Sequence, residues 1–274
     1  MHDIALRFDC EGDALYGVAS LPATPAPRGV VIVVGGPQYR AGSHRQFTLL
    51  ARALAEQGIA ALRFDVRGMG DSEGVARPFE DIGADLRAAI DAFMAQVPAL
   101  REVVLWGLCD GASAAALYAP CDARVSGLAL LNPWVRTEAG AATATIKHYY
   151  RARLFDKAFW HKLASGKFDA GAAVRSALGL AKTAIKAPAS SCALPEQVYQ
   201  GLAGFNGKLL VMLSGADLTA QEFADASAGT DAWRQLMAHA RVTRHVLAGA
   251  DHTCSRREWR DQVALWTADW LRAW

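Results

Sequence analysis

The sequence feature that most constrains the fold is the pentapeptide Gly107-Leu108-Cys109-Asp110-Gly111. It follows an apolar, strand-like run and precedes an alanine-rich, helix-like segment. A nucleophile on such a sharp strand-to-helix turn has a strained backbone, and the residues on either side must be glycine to avoid clashes. The pattern predicts that Cys109 lies at a helix N-terminus, where free N–H groups favour a thiolate. A buried thiol beside a tight turn fits the same five residues, so the rest of the chain has to decide.

Strand and helix patterns alternate along most of the chain. Residues 30–34 form a continuous β-branched run, which is typical of a strand buried on both faces of a parallel sheet. Further strand patterns, with helical patterns between them, occur at 59–64, 103–106, 125–131, 208–213 and 242–247. This alternation predicts an α/β fold with an open, mostly parallel sheet and helices on both faces. A hairpin at 4–8 and 15–21 precedes it. Chemistry in such sheets lies at the carboxyl ends of the strands.

The alternation stops between residues 134 and 207. This segment is rich in alanine, lysine and aromatic residues, with helical patterns near 143–159 and 170–182. Because the strand pattern resumes at residue 208, we predict a core of 1–133 and 208–274 with a helical cap inserted at 134–207. A second independent domain is the alternative.

Composition and charge exclude several classes of partner. The net charge is +2 with acids and bases mixed along the chain, which predicts no nucleic-acid partner. No apolar run reaches the roughly 18 residues of a membrane span, and the N-terminal residues do not resemble a signal peptide. The five cysteines include no C-x-x-C pair, so neither a disulfide framework nor a metal site is predicted. We expect a cytoplasmic protein without a cofactor; the oligomeric state is not indicated.

Three groups of residues carry a resemblance to a known superfamily. The nucleophile turn, an acid and a histidine follow one another in the order of the α/β-hydrolase fold. Residues 65–72, Asp-Val-Arg-Gly-Met-Gly-Asp-Ser, resemble the D-x-R-G-x-G-x-S loop common in that superfamily. Residues 35–40, 42–47 and 107–111 also resemble the type 1 hydrolases associated with exosortase A systems. The resemblance implies the α/β-hydrolase fold and a catalytic triad, and it does not identify a substrate.

The resemblance maps a triad onto Cys109 as nucleophile, His252 as general base and Asp217 as the acid that orients the imidazole. Asp217 directly follows the strand at 208–213, although a carboxylate there can also serve only to cap a loop. Asp225 is a second candidate for the acid, within the next helical pattern. His252 follows the last strand in a glycine-containing loop, whereas the other histidines lie elsewhere, among them His44, His148, His161 and His245. The neighbouring Asp251 is interpreted as structural.

An oxyanion hole needs two N–H donors. The backbone of Asp110, directly after the nucleophile, is expected to supply one of them. The second is expected from the loop after Gly35-Gly36, where glycine replaces the histidine that is usual in the family. Pro37 has no N–H, so Gln38 is the best remaining donor.

The helix after this loop begins with a polar turn. Ser43 and Gln46 fit a capping box, with Ser43 as the N-cap residue. His44 and Arg45 would then lie in the first turn, facing either the active-site pocket or the solvent.

Cysteine at the nucleophile position suggests which bonds are attacked. A thiol paired with an imidazole attacks acyl carbons well, and the thioester that forms exchanges readily with thiols and amines. The leading hypothesis is a hydrolase of esters or thioesters, acting on a small-molecule or carrier-bound acyl substrate. An acyltransferase with the same triad is the first alternative. A non-catalytic binding protein of the same fold is the second, and an intact triad argues against it.

Overall fold

The computed structural model describes residues 1–36, 38–136 and 193–274. Its strands are β1 (His2–Cys10), β2 (Asp13–Leu21), β3 (Arg28–Val33), β4 (Ala61–Phe64), β5 (Glu102–Leu108), β6 (Val125–Leu131), β7 (Lys208–Ser214) and β8 (Val242–Leu247). The α-helices within these ranges are α1 (Gln46–Glu56), α2 (Gly83–Gln96), α3 (Asp110–Tyr118), α4 (Leu194–Gly204), α5 (Leu218–Gly229), α6 (Asp231–Ala238) and α7 (Arg257–Arg272).

The eight strands form one sheet in the order β1-β2-β4-β3-β5-β6-β7-β8. The β1–β2 and β2–β4 pairs are antiparallel, and the pairs from β4 through β8 are all parallel. The predicted N-terminal hairpin and open parallel sheet are therefore confirmed. Strand β3 lies between β4 and β5 in the sheet, so the chain crosses to one side of β3 to form β4 and to the other side to form β5. The crossover helices therefore cover both faces of the sheet.

The β-branched run of β3 explains its central position. Val31 and Val33 pack into the apolar core on one face of the sheet. Val30 and Ile32 pack into the core on the other face. Helices α2 to α6 contribute to the first core, and α1 and α7 contribute to the second. Because both faces of β3 are covered, an alternation of polar and apolar residues would have buried polar side chains without hydrogen-bond partners.

Helix α4 shows where the chain returns to the core after residue 192. Its Val198 and Leu202 are fully buried, and Pro195 lies in its first turn. A Cβ atom on Gly201 would lie 2.4 Å from the carbonyl oxygen of Ala116 in α3, so the two helices are in close contact. The last part of the 134–207 segment thus packs on α3. The helical patterns at 143–159 and 170–182 lie outside the described residues, and the limits of the cap stay a prediction.

The turn between β5 and α3 has the strained geometry that the sequence predicts. Cys109 has a positive φ of 60° with ψ −125°. A Cβ atom on Gly107 would lie 2.5 Å from the backbone nitrogen of Ala112, and one on Gly111 would lie 2.5 Å from the carbonyl oxygen of Val33. Both glycines are therefore required by close backbone approach.

Alanine at position 111 should destabilise the fold through this contact. We expect Gly111→Ala to lower the free energy of unfolding by about 1–3 kcal/mol, because the backbone of β3 must move to admit the methyl group. Gly204→Ala is the matched control, since a Cβ atom there meets nothing within 4 Å. Urea denaturation of both variants measures the difference. Equal stability of the two variants would contradict the close approach of α3 to β3.

Candidate active site

Hydrogen bonds from the start of α3 and from the chain after β6 hold the backbone around Cys109. The Cys109 N–H donates to the carbonyl of Leu131 at 3.0 Å, and the Cys109 carbonyl accepts from Ala112 and Trp134, each at 3.1 Å. The hydroxyl of Ser113 donates to the carbonyl of Trp134 at 2.5 Å. These bonds connect the turn to the chain after β6 and stabilise the strained conformation. The Cys109 side chain stays partly exposed.

The imidazole of His252 connects the other two predicted triad residues. Its Nδ1 lies 2.9 Å from Oδ2 of Asp217, and the ring also hydrogen-bonds the side chain of Cys109. Asp217 is buried, with 8 % of its side chain exposed, whereas His252 has 35 % exposed. Cys109 after β5, Asp217 after β7 and His252 after β8 thus meet at the carboxyl edge of the sheet. The histidine lies between the other two residues.

The pKa of His252 is raised to about 10. The hydrogen bond to Asp217 is the largest cause, the hydrogen bond with Cys109 adds to it, and burial opposes both. A raised pKa means that the site stabilises the imidazolium. The charged form of His252 is therefore favoured near neutral pH.

Asp217 both caps a helix and orients the histidine. It is the N-cap residue of α5, accepting hydrogen bonds from the backbone of Thr219 at 3.3 Å and of Ala220 at 3.1 Å. The same carboxylate reaches His252, so the two interpretations of this residue are compatible. The alternative acid Asp225 lies within α5. Capping fixes the carboxylate, which prevents it from turning away from the imidazole.

Asn132 is a positioning residue that sequence reasoning missed. It is fully buried with a positive φ of 49°. Its Nδ2 donates to Ser214 Oγ at 2.9 Å and to the carbonyl of His252 at 3.1 Å, and its Oδ1 accepts from the Ser214 backbone at 2.8 Å. One side chain thus joins the ends of β6 and β7 to the histidine loop. The available signal was an asparagine directly after a buried strand, a residue type that tolerates left-handed backbone.

Asp251 has the structural role expected of it. Its carboxylate accepts from the Ser255 backbone at 2.9 Å and also from the Ser255 hydroxyl. These bonds close the turn between His252 and α7.

The predicted oxyanion donors differ in their surroundings. Asp110 begins α3 directly after the nucleophile, as the hole requires. The Gln38 N–H, in contrast, donates to the carbonyl of Gly36 at 2.8 Å and so is engaged within its own turn. Pro37 lies outside the described residues. The role of Gln38 as second donor stays a prediction that requires this turn to open.

The carboxylate of Asp110 connects the glycine loop to the nucleophile turn. Its Oδ1 accepts from the Gly111 N–H at 3.0 Å, and the Gly36 N–H donates to the same carboxylate. Burial raises the pKa of Asp110, although these N–H groups and the nearby His252 partly counter that effect. A Cβ atom on Gly35 would lie 2.1 Å from Oδ1 of Asp110, so glycine at position 35 makes room for this carboxylate.

The 65–72 loop supports the site through its charged residues. Asp65 accepts from the backbone N–H of Arg40 at 2.6 Å and also pairs with the Arg40 guanidinium. Arg67 pairs with the fully buried Asp85 at 2.5 Å. The Asp65–Arg40 pair holds the loop after β4 against the loop after β3, and the Arg67–Asp85 pair holds it against α2. The motif thus acts as a scaffold beside the glycine loop.

The start of α1 differs from the prediction. Ser43 makes no capping hydrogen bond, and α1 begins at Gln46. His44 and Arg45 have positive φ values of 53° and 60°, so they precede the helix. The capping-box prediction is wrong because this left-handed pair lies between Ser43 and the helix, so that Arg45 is the N-cap residue.

Among the described residues, no group of His, Cys, Asp or Glu is arranged to hold a metal ion. None of the described helices is long and apolar enough to cross a membrane.

Cysteine reactivity should test the contact between Cys109 and His252. We expect iodoacetamide to alkylate Cys109 fastest, because an imidazolium beside a thiol favours the reactive thiolate. Exposed Cys121 is the reference for a cysteine that is freely accessible. Burial raises the pKa of Cys10 to about 12 and of Cys254 to about 11, so both should react slowest.

Peptide mapping by mass spectrometry measures the alkylation rates of all five cysteines. Cys192 lies outside the described residues, and it is also expected to react more slowly than Cys109. In His252→Ala, Cys109 should lose its advantage in alkylation rate over Cys121. Equal labelling of all five cysteines in the native protein would contradict a stabilised thiolate at Cys109.

Comparison with known proteins agrees with the fold. The family model described as "Serine aminopeptidase, S33" matches residues 25–256. An esterase from Pyrococcus furiosus superposes over 100 % of this chain and 91 % of its own, with a TM-score of 0.68 and 14 % identity. The esterase domain of a Rhodothermus marinus protein gives 100 % and 99 % coverage, a TM-score of 0.62 and 20 % identity.

An α/β-hydrolase from Penicillium sp. gives 100 % and 99 % coverage, a TM-score of 0.66 and 17 % identity. No curated protein sequence matches the chain. Similarity at these identities shows the fold, and the family match covers most of the sequence. The chain has the α/β-hydrolase fold and belongs to the hydrolase family described as serine aminopeptidase S33.

Proposed function

We propose that this protein is a hydrolase that uses Cys109 to cleave carboxylic esters or thioesters through an acyl-enzyme intermediate. The observation that carries the proposal is the hydrogen-bonded series Cys109–His252–Asp217 at the strained turn after β5. The family is named for a serine nucleophile, and here a cysteine occupies the corresponding position in the turn.

The geometry supports a two-step reaction. The Cys109 thiolate attacks the acyl carbon, and the negative charge that develops on the oxygen is stabilised by the Asp110 N–H. The His252 imidazolium gives its proton to the leaving group, and a thioester to Cys109 remains. Neutral His252 then takes a proton from water, which attacks the thioester and releases the acid. Asp217 keeps the imidazole oriented in both steps.

Two further observations support esters and thioesters as substrates. Two proteins of similar fold are described as an esterase and an esterase domain. A thiolate is also a good leaving group from a tetrahedral intermediate, so a cysteine enzyme suits bonds whose own leaving group departs easily, such as esters and thioesters. We also propose that the protein is related to the exosortase-associated hydrolases that its sequence resembles. A small-molecule or carrier-bound acyl group is the proposed substrate. A nucleophilic thiol also needs a reducing compartment to stay free.

Acyl transfer is the alternative that the chemistry favours next, because the Cys109 thioester reacts with amines and thiols as well as with water. The same experiment addresses both reactions. We expect intact-mass measurements with a panel of p-nitrophenyl esters and acyl thioesters to show an acyl adduct on Cys109 that decays to free acid. Amide or thioester products in the presence of an amine or thiol would indicate transfer. If no ester or thioester of the panel gives an adduct or turnover, the proposed function is wrong.

A further inference from the structure

A cavity of about 200 Å³, partly open to solvent, lies beside the glycine loop. Its walls include apolar side chains from the loop after β4 and from the segment that leads into α2, namely Val66, Met69, Phe79 and Ile82. Asp110 supplies the carboxylate in this wall, and Arg77 lies at another side. The cavity thus combines an apolar lining with one acidic and one basic group.

No Lys or Arg side chain of the described residues forms an ion pair with the Asp110 carboxylate, and His252 acts on it through a Coulombic interaction. The carboxylate accepts hydrogen bonds from the backbone N–H groups of Gly111, Gly36 and Asp110 itself, which leave further acceptor capacity on its two oxygens. Arg77 is engaged elsewhere, with Asp81 at 3.0 Å and Glu11 at 4.0 Å. A partly buried carboxylate that forms no ion pair with the described residues is stabilised further by a ligand that brings a cation into contact with it.

Asp110 also brings this cavity next to the reacting atoms. It follows Cys109 in sequence, and its backbone is the expected oxyanion donor. Gly35 and Gly36, which also line the cavity, belong to the loop on the other side of the expected oxyanion hole. Cys109 itself does not line the cavity, so a substrate held there would reach the cavity past the backbone of Asp110.

We propose that this cavity is a substrate subsite that binds an alkylammonium group, with the Asp110 carboxylate as the specificity-determining residue. The inference rests on the proposed function, since it assigns the cavity to part of the same substrate. The apolar walls surround the alkyl part, and the carboxylate accepts a charge-assisted hydrogen bond from the ammonium. The alternative role of Asp110, as a clamp between the glycine loop and α3, involves no recognition of substrate charge.

Two esters of nearly identical shape separate these roles. They are 2-(dimethylammonio)ethyl acetate and 3-methylbutyl acetate. The first has a protonated nitrogen at the position where the second has a CH group. We expect kcat/KM of the native protein to be at least about tenfold higher for the ammonium ester, equivalent to about 1.4 kcal/mol. In Asp110→Asn the ratio should fall to near one. Because the ratio compares two substrates on one enzyme, a general loss of activity in the variant does not affect it.

Asp81→Asn is the matched control, because it removes a carboxylate that is exposed and pairs with Arg77 beside the cavity. The preference should survive in this variant. A ratio near one in the native protein, or an unchanged ratio in Asp110→Asn, would overturn the proposed subsite. The hydrolase proposal would stand in either case, since both esters would still be cleaved.

A second measurement does not depend on turnover. Cys109 is labelled with 2-ammonioethyl methanethiosulfonate and with its uncharged analogue, propyl methanethiosulfonate, and exposed Cys121 is the internal reference. We expect Cys109 to favour the cationic reagent by about tenfold relative to Cys121, and to lose that preference in Asp110→Asn. If neither ester is cleaved, ester hydrolysis fails on these substrates and the labelling ratio alone decides the subsite.

Discussion

Replacing Cys109 by alanine is expected to reduce turnover by at least about 10³-fold, because removal of a nucleophile leaves only binding and oxyanion stabilisation. The fold should remain intact. The turn is held by backbone hydrogen bonds to Leu131, Ala112 and Trp134, none of which uses the sulfur. The measurements are steady-state rates on the best substrate of the panel and urea denaturation of both proteins. Turnover at the native rate by the alanine variant would show that Cys109 is not the nucleophile.

Cys109→Ser tests how the nucleophile is activated. A hydroxyl must lose its proton as it attacks, whereas the thiolate of an ion pair is already formed. The raised pKa of His252 indicates a site adapted to an imidazolium, which cannot accept the serine proton. We therefore expect serine to lose at least about tenfold in rate, about 1.4 kcal/mol of barrier. A serine variant as active as the native protein on every substrate would refute the preformed ion pair and leave the hydrolase assignment in place.

The fold was predictable because its signals are local and repeated. The β-branched run of β3 indicated a strand covered on both faces, and the parallel order of the sheet followed from the alternation of strands and helices. Cys109, Asp217 and His252 were assigned through the resemblance to the α/β-hydrolase fold, and each lies in the segment that follows a strand. Parallel strands end at one edge, so residues far apart in sequence had to lie close together.

The features that could not be predicted depend on backbone conformation. Asn132 joins β6, β7 and the histidine loop, yet nothing in its local sequence identifies its three partners. The left-handed pair His44–Arg45 displaces the start of α1, although both residue types usually adopt right-handed conformations. The Gln38 N–H was assigned from the position of Pro37, and its hydrogen bond to Gly36 is visible only in the structure.

Asp110 shows how a residue chosen for its backbone can acquire a second role through its side chain. The sequence indicated only that its N–H follows the nucleophile. The structure adds a carboxylate that fills the space above Gly35 and faces an apolar cavity. An asparagine could accept the same hydrogen bond from Gly111, so this contact alone does not need a negative charge.

Asp217→Asn should separate the two roles of this carboxylate. Asparagine caps helices about as well as aspartate, so the hydrogen bonds to Thr219 and Ala220 can persist. The negative charge that stabilises the His252 imidazolium is lost, and with it the fixed ring orientation. We expect kcat/KM to fall by about 10²–10⁴-fold, as for other triads deprived of their acid. Asp217→Ala should lose a similar amount of activity and, because the cap is also removed, a further 0.5–2 kcal/mol or so of stability.

The pH dependence of stability gives an independent check of the same contact. The folded-state pKa of His252 is raised, so its contribution to stability is present in full below the unfolded imidazole pKa of about 6.5 and is lost as pH rises through about 10. The difference in the free energy of unfolding between the native protein and Asp217→Asn should therefore be largest near pH 6 and should shrink towards pH 10. Urea denaturation across this range measures it. A difference independent of pH would mean that Asp217 only caps α5, because a helix cap has no reason to follow the titration of an imidazole.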